Sequence, residues 1–384
     1  MRVLFSSTFG YGHVFPMVPL ARAFAAAGHE VLWATSAQAC EHVAAAGVEA
    51  VPAGLTGAQL QQVIGPLHVA VAEVPPAERA AFMYPRMFGE ALTPPMVVDL
   101  LAVAREFRPD LLVHEHGELA SPLVGAVLGV PSVTHSYGGG IPSEFLSSAG
   151  EMLAPLWADH RQPLPPYAGC FTSTYLDICP PKVQTVPLDH VGERLMLRPV
   201  PYTGEQTAPL PPCVRDASRP LVYLTLGTVQ NRAPVFSAAV SALAELPINV
   251  LVTVGPDGDP DALGPQPAHV TVERYVSQVD VLPHCAAVVS HAGSGTFLGA
   301  LSAGLPQLCL PQAADQFRNA TAAFKCGAGL TLRPDEASPE TIAAAVQRLL
   351  AEDTFRAAAV GIAADIRAMP APEDVVALLA TQLP

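Results

Sequence analysis

The chain has 384 residues, half of them apolar, and a net charge of −14. At about 100–200 residues per domain, that length suits two domains, each with its own core. An acidic chain with no run of Lys or Arg is a poor partner for a nucleic-acid polymer or an anionic membrane surface, so a phosphorylated ligand must be held by local geometry against the global field.

In chain order, residues 3–6 form a short apolar run suited to a strand buried on both faces. A glycine-rich turn, Gly10-Tyr11-Gly12-His13, follows. Residues 16–27 carry Met17, Leu20, Ala21 and Phe24 at helical spacing, with Pro16 in the first turn and Gly28 at the stop. Residues 31–35, 111–113 and 131–134 read as further strands, giving the strand–helix–strand rhythm of a parallel sheet. Two stretches, 55–95 and 137–166, break that rhythm and read as irregular insertions, functional or simply solvated. Residues 206–218, rich in Pro and polar residues, read as a linker between domains 1–205 and 219–365. The rhythm restarts with strands at 221–226, 250–254, 270–272, 287–290, 307–310 and 330–332. The tail, 366–384, is helical in pattern and is expected to pack back on the first half.

The seven cysteines are odd in number and never spaced C-x-x-C, which fits a reducing cytosol better than a disulfide framework or a zinc site. The first residues enter a strand without signal-peptide anatomy. The apolar stretch 120–133 is broken by Pro122, Gly125 and Gly129 and is too short to span a bilayer. A cytoplasmic protein without an integral membrane span is therefore expected.

Two places can carry chemistry. After the strand ending at Ser290 comes His291-Ala292-Gly293-Ser294-Gly295-Thr296, then a helix. Glycines between a strand and a helix let backbone N–H groups approach an anion, and the helix dipole adds positive potential there. His291, Ser294 and Thr296 can add donors; the plainer alternative is a Ser-capped helix start. The next strand leads to Asp315-Gln316, a carboxylate beside a carboxamide, suited to vicinal hydroxyls or to a helix cap. In the first half, His13 stands at a strand–turn–helix junction. Its imidazole can act as a general base near neutral pH, or serve only as a core or capping residue.

These segments resemble family 1 glycosyltransferases. Residues 291–319 match the family's donor signature at His291, Gly293, Gly295, Thr296, Gly304, Pro306, Gln307, Asp315 and Gln316. They depart at Ala292, where the family has Gly, and at Gly299, where many members have a Glu near the ribose. Leu224-Thr225-Leu226-Gly227-Thr228 resembles a phosphate-approaching turn. Tyr275, Val276 and Gln278 lie in a segment that resembles the base-packing stretch. Gly12-His13-Val14-Phe15-Pro16 resembles the family opening, whose His is the general base.

By this resemblance Gly227, Thr228, His291, Gly293, Ser294, Gly295 and Thr296 hold the donor diphosphate, and Asp315 and Gln316 the sugar. His13 is the base, oriented by a carboxylate roughly a hundred residues on, by the logic of the Ser-His-Asp arrangement. Glu115 fits best, with Asp the commoner residue in relatives; His116 and Glu118 are the neighbouring alternatives.

The resemblance implies an α/β protein of the GT-B class, two doubly wound Rossmann-like domains facing across a cleft. The implied reaction is an inverting, metal-independent transfer of a (deoxy)sugar from a nucleotide diphosphate, TDP favoured over UDP, to a small hydrophobic natural-product aglycone. No cofactor beyond the nucleotide sugar is implied, and a homodimer is the expected assembly. A nucleotide-sugar 2-epimerase of the same fold and a non-catalytic partner protein are the competing readings. A dinucleotide fingerprint is set aside because Gly10-x-Gly12 lacks its third glycine and an acid after the next strand. Asp257, Asp259 and Asp261 lack the Gly and Glu of a calcium loop and read as turn residues.

Overall fold

The computed structural model describes residues 1–202, 204, 209–227, 234–255 and 258–382. The chain forms two compact units. The first gathers Met1–Ile178, Val186–Arg198 and the residues from Pro370 onward; the second holds Cys179–Thr185 and Pro199–Met369. Residues 209–218 of the expected linker belong to the second unit, and 206–208 lie outside the described residues. The helix Pro372–Gln382 packs on the helix Val18–Ala26 of the first unit. Where the chain crosses between units, Arg198 N donates to Pro370 O at 2.8 Å.

The first unit is built on seven parallel strands: β1 Arg2–Ser6, β2 Glu30–Thr35, β3 Glu49–Pro52, β4 Leu111–Glu115, β5 Ser132–His135, β6 Tyr175–Asp177 and β7 Arg194–Met196. Their order is β3-β2-β1-β4-β5-β6-β7. The second unit has six, β8 Leu221–Thr225, β9 Asn249–Thr253, β10 Val270–Glu273, β11 Ala287–Ser290, β12 Gln307–Cys309 and β13 Gly329–Thr331, in the order β10-β9-β8-β11-β12-β13. Helices cover both faces, which is why the central strands read as unbroken apolar runs: Val3, Leu4 and Phe5 are wholly buried, as are Val288 and Val289. Each sheet reverses its winding once, between β1 and β4 and between β8 and β11. In doubly wound sheets the crevice beyond the carboxyl ends of strands at such a reversal is where ligands bind.

Several expectations need correcting. The glycine-rich turn is already helical: Tyr11–Val14 is one α-turn, Phe15–Met17 a tight 3₁₀ turn and Val18–Ala26 the helix proper. Gly10, at φ 98°, makes the reversal. The stretch 55–95 is helical rather than irregular, with helices Gly57–Ala72 and Arg79–Tyr84, a π-helical segment Pro85–Leu92, and the start of helix Thr93–Phe107. Prolines at 66, 85, 94 and 95 disguised it. The stretch 137–166 likewise holds the helix Ser143–Asp159, with Pro155 inside it. The strands β3, β6 and β7 are too short and too mixed in composition to signal themselves.

The run Arg79–Phe107 is long and apolar enough to cross a bilayer by length and composition. Half of its most apolar window is buried inside the protein, and Met96, Val97, Leu100 and Leu101 pack into the first unit's core. That placement is a core helix. All seven cysteines are free thiols.

Candidate functional site

His13 and Glu115 come from elements that flank the reversal in the first sheet. Glu115 is the last residue of β4, and His13 lies on the helical turn after β1. The Glu115 side chain is fully buried, that of His13 is 22 % exposed, and His13 Nδ1 lies 3.1 Å from Glu115 Oε1. The approach is off the line of a good hydrogen bond. It nevertheless faces Nδ1 to the carboxylate, leaving Nε2 as the ring nitrogen able to take a proton.

The carboxylate is held on every side. Thr8 donates to Oε1 from its backbone N (3.1 Å) and its hydroxyl (2.8 Å), and Gly117 N donates to Oε2. Burial pushes the Glu115 carboxyl up. The His13 charge and contact, the His116 charge and the Gly117 N–H outweigh burial and leave it lowered to about 2. Glu118, the alternative carboxylate, is committed elsewhere: it accepts from Ser6 Oγ and Ala120 N, each at 2.7 Å, and so caps the helix Ala120–Leu128. Aromatic rings surround the imidazole, Tyr137 at 4.7 Å and Phe88 at 5.6 Å between centroids. Thr8, Phe88 and Tyr137 were not legible as site residues, since nothing in their spacing links them to His13.

A pH dependence of stability follows. Burial lowers His135 on β5 from 6.5 to about 4, and burial does the same to His291. Both folded values are depressed, so their contribution is complete above 6.5 and is lost as pH falls through about 4. Glu115 then loses its contribution between 4.5 and about 2. At 1.36 kcal/mol per pKa unit, His135 alone accounts for about 3 kcal/mol. The melting temperature is expected to fall in two stages on acidification; a midpoint that stays level from pH 6.5 to 4 would contradict it.

The second candidate site flanks the reversal in the other sheet. Gly227 follows β8 and His291 follows β11. The His291 ring lies between two glycines. A Cβ on Gly227 would stand 2.7 Å from its Cε1, and one on Gly293 2.4 Å from its Nε2. Gly227 also has φ +74°, a region only glycine enters freely. Burial lowers the His291 pKa to about 4, opposed by the Asp315 charge, so the ring is neutral at physiological pH; its Nδ1 is buried without a hydrogen-bond partner. Gly293→Ala should therefore displace the imidazole. A loss of nucleotide affinity like that of a His291 variant is expected, and unchanged affinity by calorimetry would refute the packing argument.

The helix Ser294–Ser302 begins next, with Gly293 as its cap. Its first N–H groups, at Ser294, Gly295 and Thr296, precede the first intrahelical bond, Phe297 N to Gly293 O at 2.9 Å. Ser294 Oγ donates to Asp315 Oδ2 at 2.6 Å. Asn319 braces the junction, its Nδ2 donating to Ala292 O (2.9 Å), Ser294 Oγ (3.1 Å) and Asp315 Oδ2 (3.0 Å). Its position one helical turn after Asp315 was the available signal. Thr228 lies outside the described residues.

Ala292 has φ 62° and is wholly buried. The left-handed conformation costs roughly 1–2 kcal/mol for a residue with a Cβ. Methyl burial, about 0.8 kcal/mol, and the extra chain entropy of glycine, about 0.5–1 kcal/mol, offset most of it. The alanine is therefore tolerated in a conformation that favours glycine. At Gly299 a Cβ would meet Leu282 Cδ1 at 3.4 Å and Pro201 carbons near 4 Å, so this spot is apolar and offers no carboxylate.

Other expected contacts are redistributed. Gln316 Oε1 accepts from Gln312 N (2.8 Å) and Ala313 N (3.0 Å), so half of this side chain shapes its own loop. Asp315 Oδ1 and Gln316 Nε2 take no part in these bonds. Val276 is 4 % exposed and packs with Tyr223 and Leu251, so its side chain faces the core. Gln278 Nε2 donates to Thr296 Oγ1 at 3.1 Å and thus steadies the helix start. Tyr275, 44 % exposed, is the member of that trio whose side chain is open to solvent.

Residues 22–227 match the N-terminal domain, and residues 237–381 the C-terminal domain, of the family described as erythromycin biosynthesis protein CIII-like. The L-demethylnoviosyl transferase of Streptomyces niveus is 35% identical over 387 residues, covering 100% of this chain and 98% of that protein. The elloramycin glycosyltransferase of Streptomyces olivaceus is 36% identical, covering 99% of this chain and 97% of that protein. A spinosyn rhamnosyltransferase, solved with thymidine diphosphate and with spinosyn aglycone, superposes with a TM-score of 0.80 in both structures. Its identity is 26% and 27% in the two comparisons, and each covers 100% of both chains.

Proposed function

The chain belongs to the erythromycin biosynthesis protein CIII-like glycosyltransferases, and from that premise we propose that it moves a deoxysugar from thymidine diphosphate to a hydrophobic, aromatic natural-product aglycone with inversion at the anomeric carbon. The observation that carries the mechanism is the 3.1 Å approach of His13 to the buried Glu115. The acceptor oxygen forms its bond to the anomeric carbon as that carbon's bond to the diphosphate breaks. His13 Nε2 receives the acceptor's proton, and the Glu115 carboxylate stabilises the imidazolium that results. The leaving diphosphate takes the electron pair. Its charge is met by the N–H groups of Ser294, Gly295 and Thr296, by the helix dipole and by His291, so no metal is required. Asp315 Oδ1 and Gln316 Nε2 bind the sugar hydroxyls.

The preference for thymidine diphosphate draws on the relatives solved with it and on the apolar surroundings of Gly299, which lack a ribose-binding carboxylate. The aromatic acceptor draws on Tyr137 beside His13. Incubation with a TDP-deoxysugar and a panel of aglycones tests the proposal. A glycoside formed only with acceptor present supports it. A 2-epimer formed without acceptor points to an isomerase of the same fold, and no conversion to a non-catalytic partner protein. Thermal stabilisation by TDP, UDP and GDP ranks the nucleotide, since a ligand that binds the folded state raises its stability by mass action.

A further inference from the structure

We propose that Phe88, carried on the π-helical segment Pro85–Leu92, is a positioning residue that holds the His13 imidazole in one orientation for proton transfer. This rests on the assignment of His13 as the base.

π-Helical turns are rare, and where they occur they re-aim side chains, often at functional sites. The local sequence explains this one. Pro94 and Pro95 have no N–H to return to the carbonyls one turn earlier, so the α pattern is interrupted. The Thr93 hydroxyl donates to Phe88 O at 2.6 Å, five residues back, which is the spacing of a π turn. On its inner face Gly89 lies against the helix Ser143–Asp159 so closely that a Cβ there would stand 3.2 Å from Ala149 Cβ. The segment is fixed at its end and along its flank.

What it presents is Phe88, 6 % exposed. Its ring lies 5.6 Å from the His13 ring, tilted by 46°, while Tyr137 approaches at 4.7 Å with an interplanar angle of 65°. The imidazole thus has two aromatic neighbours, with Glu115 at Nδ1. Phe88 also touches the turn that carries the carboxylate. A Cβ on Gly117 would meet Phe88 Cδ1 and Cε1 at 3.1 Å and Glu115 Oε2 at 3.0 Å, and the Gly117 N–H is the donor to that oxygen. Tyr84, 4.9 Å from Phe88, donates from its hydroxyl to His116 O and pins the same turn. One apolar ring therefore packs beside the imidazole and beside Gly117, whose N–H donates to the carboxylate, and no polar atom of Phe88 is involved.

The test separates positioning from an acceptor-wall role. In uniformly ¹⁵N-histidine-labelled full chain, ligand-free, the His13 ring signals are assigned by their loss in His13→Ala. Wild type should show one neutral tautomer, protonated at Nδ1; Phe88→Ala should show averaging between tautomers. With a TDP-deoxysugar and the aglycone that gives product, Phe88→Ala should lower kcat by about 10- to 100-fold, the scale expected for a small misplacement of a reacting group. The acceptor KM should change far less. Phe88→Tyr, which keeps the ring, should restore kcat, and Phe88→Leu replaces the alanine variant if that one does not fold. Unchanged ¹⁵N signals, or a loss confined to KM, would overturn the proposal. Full activity of His13→Ala would instead overturn the base assignment, while the ¹⁵N comparison would still report on Phe88 directly.

Discussion

His13→Ala should lower turnover by about 10²- to 10⁴-fold, the range contributed by a well-placed general base, while nucleotide affinity stays close to that of the wild type. The split follows from where the residue stands. His13 and its partners Thr8, Glu115 and Gly117 all belong to the first unit, built on β1 and β4. The glycines, hydroxyls and helix start proposed to hold the diphosphate belong to the second. Removing the imidazole also leaves Glu115 buried with one fewer compensating group, so some loss of stability accompanies the loss of activity. Glu115→Gln keeps the shape and the N–H contacts but removes the charge that would stabilise an imidazolium. It should reproduce most of the kinetic defect with less structural cost. Steady-state kinetics beside isothermal titration with TDP checks both halves; a His13→Ala enzyme with full turnover would remove the base from the mechanism.

The second large effect is expected from His291→Ala, which should weaken nucleotide binding and turnover together. Removing one preorganised donor from an oxyanion site costs about 10²–10³ in kcat in comparable cases. His291 suits that role because burial keeps it neutral, with Nδ1 lacking a hydrogen-bond partner among the described residues. Since the ring is already neutral at pH 7, no loss of binding between pH 7 and 6 should trace to it. Titrations with TDP and with thymidine separate the diphosphate from the base: only TDP affinity should fall in the variant. Equal weakening of both ligands would place the ring beside the nucleoside instead.

Much of this was legible in the sequence, for identifiable physical reasons. Strands buried on both faces must be continuous apolar runs, so β1, β8 and β11 announced themselves. Glycines between a strand and a helix mark a backbone approach, and His291, Gly293 and Ser294 stand where that pattern puts them. Glu115 was singled out by the resemblance, which places a carboxylate at the end of a strand roughly a hundred residues after His13, and the structure puts it 3.1 Å from that ring. Other features depend on tertiary neighbours and leave no local trace. Val276 has the composition of a contact residue, yet the second core claims its side chain. Gln316 reads as a sugar ligand, but its Oε1 is spent on the two N–H groups of its own loop. The helices between 55 and 95 were concealed by prolines: Pro85, Pro94 and Pro95 stand in first turns, where an N–H is missing without cost, and Pro66 interrupts the interior of Gly57–Ala72. Phe88 shows no periodic relation to His13; only the folded chain brings them together.

The hydrogen bond from Arg198 N to Pro370 O has a consequence for engineering. The chain leaves the first unit after Arg198 and re-enters it at Pro370, so the main segment of the second unit, Pro199–Met369, is topologically an insert whose two ends lie side by side, and the short stretch Cys179–Thr185 joins it from within the first unit's sequence. Segments with adjacent ends are the ones that can be exchanged between homologues without stretching the host. A chimera that exchanges this segment between relatives therefore needs two junctions, one at each of these residues, with Cys179–Thr185 matched to the incoming unit. A single splice would replace the closing helix Pro372–Gln382 along with the second unit, and with it the surface that packs on Val18–Ala26. The recipient would then carry a foreign helix against its own core, and the loss would register as poor folding before any sugar was offered.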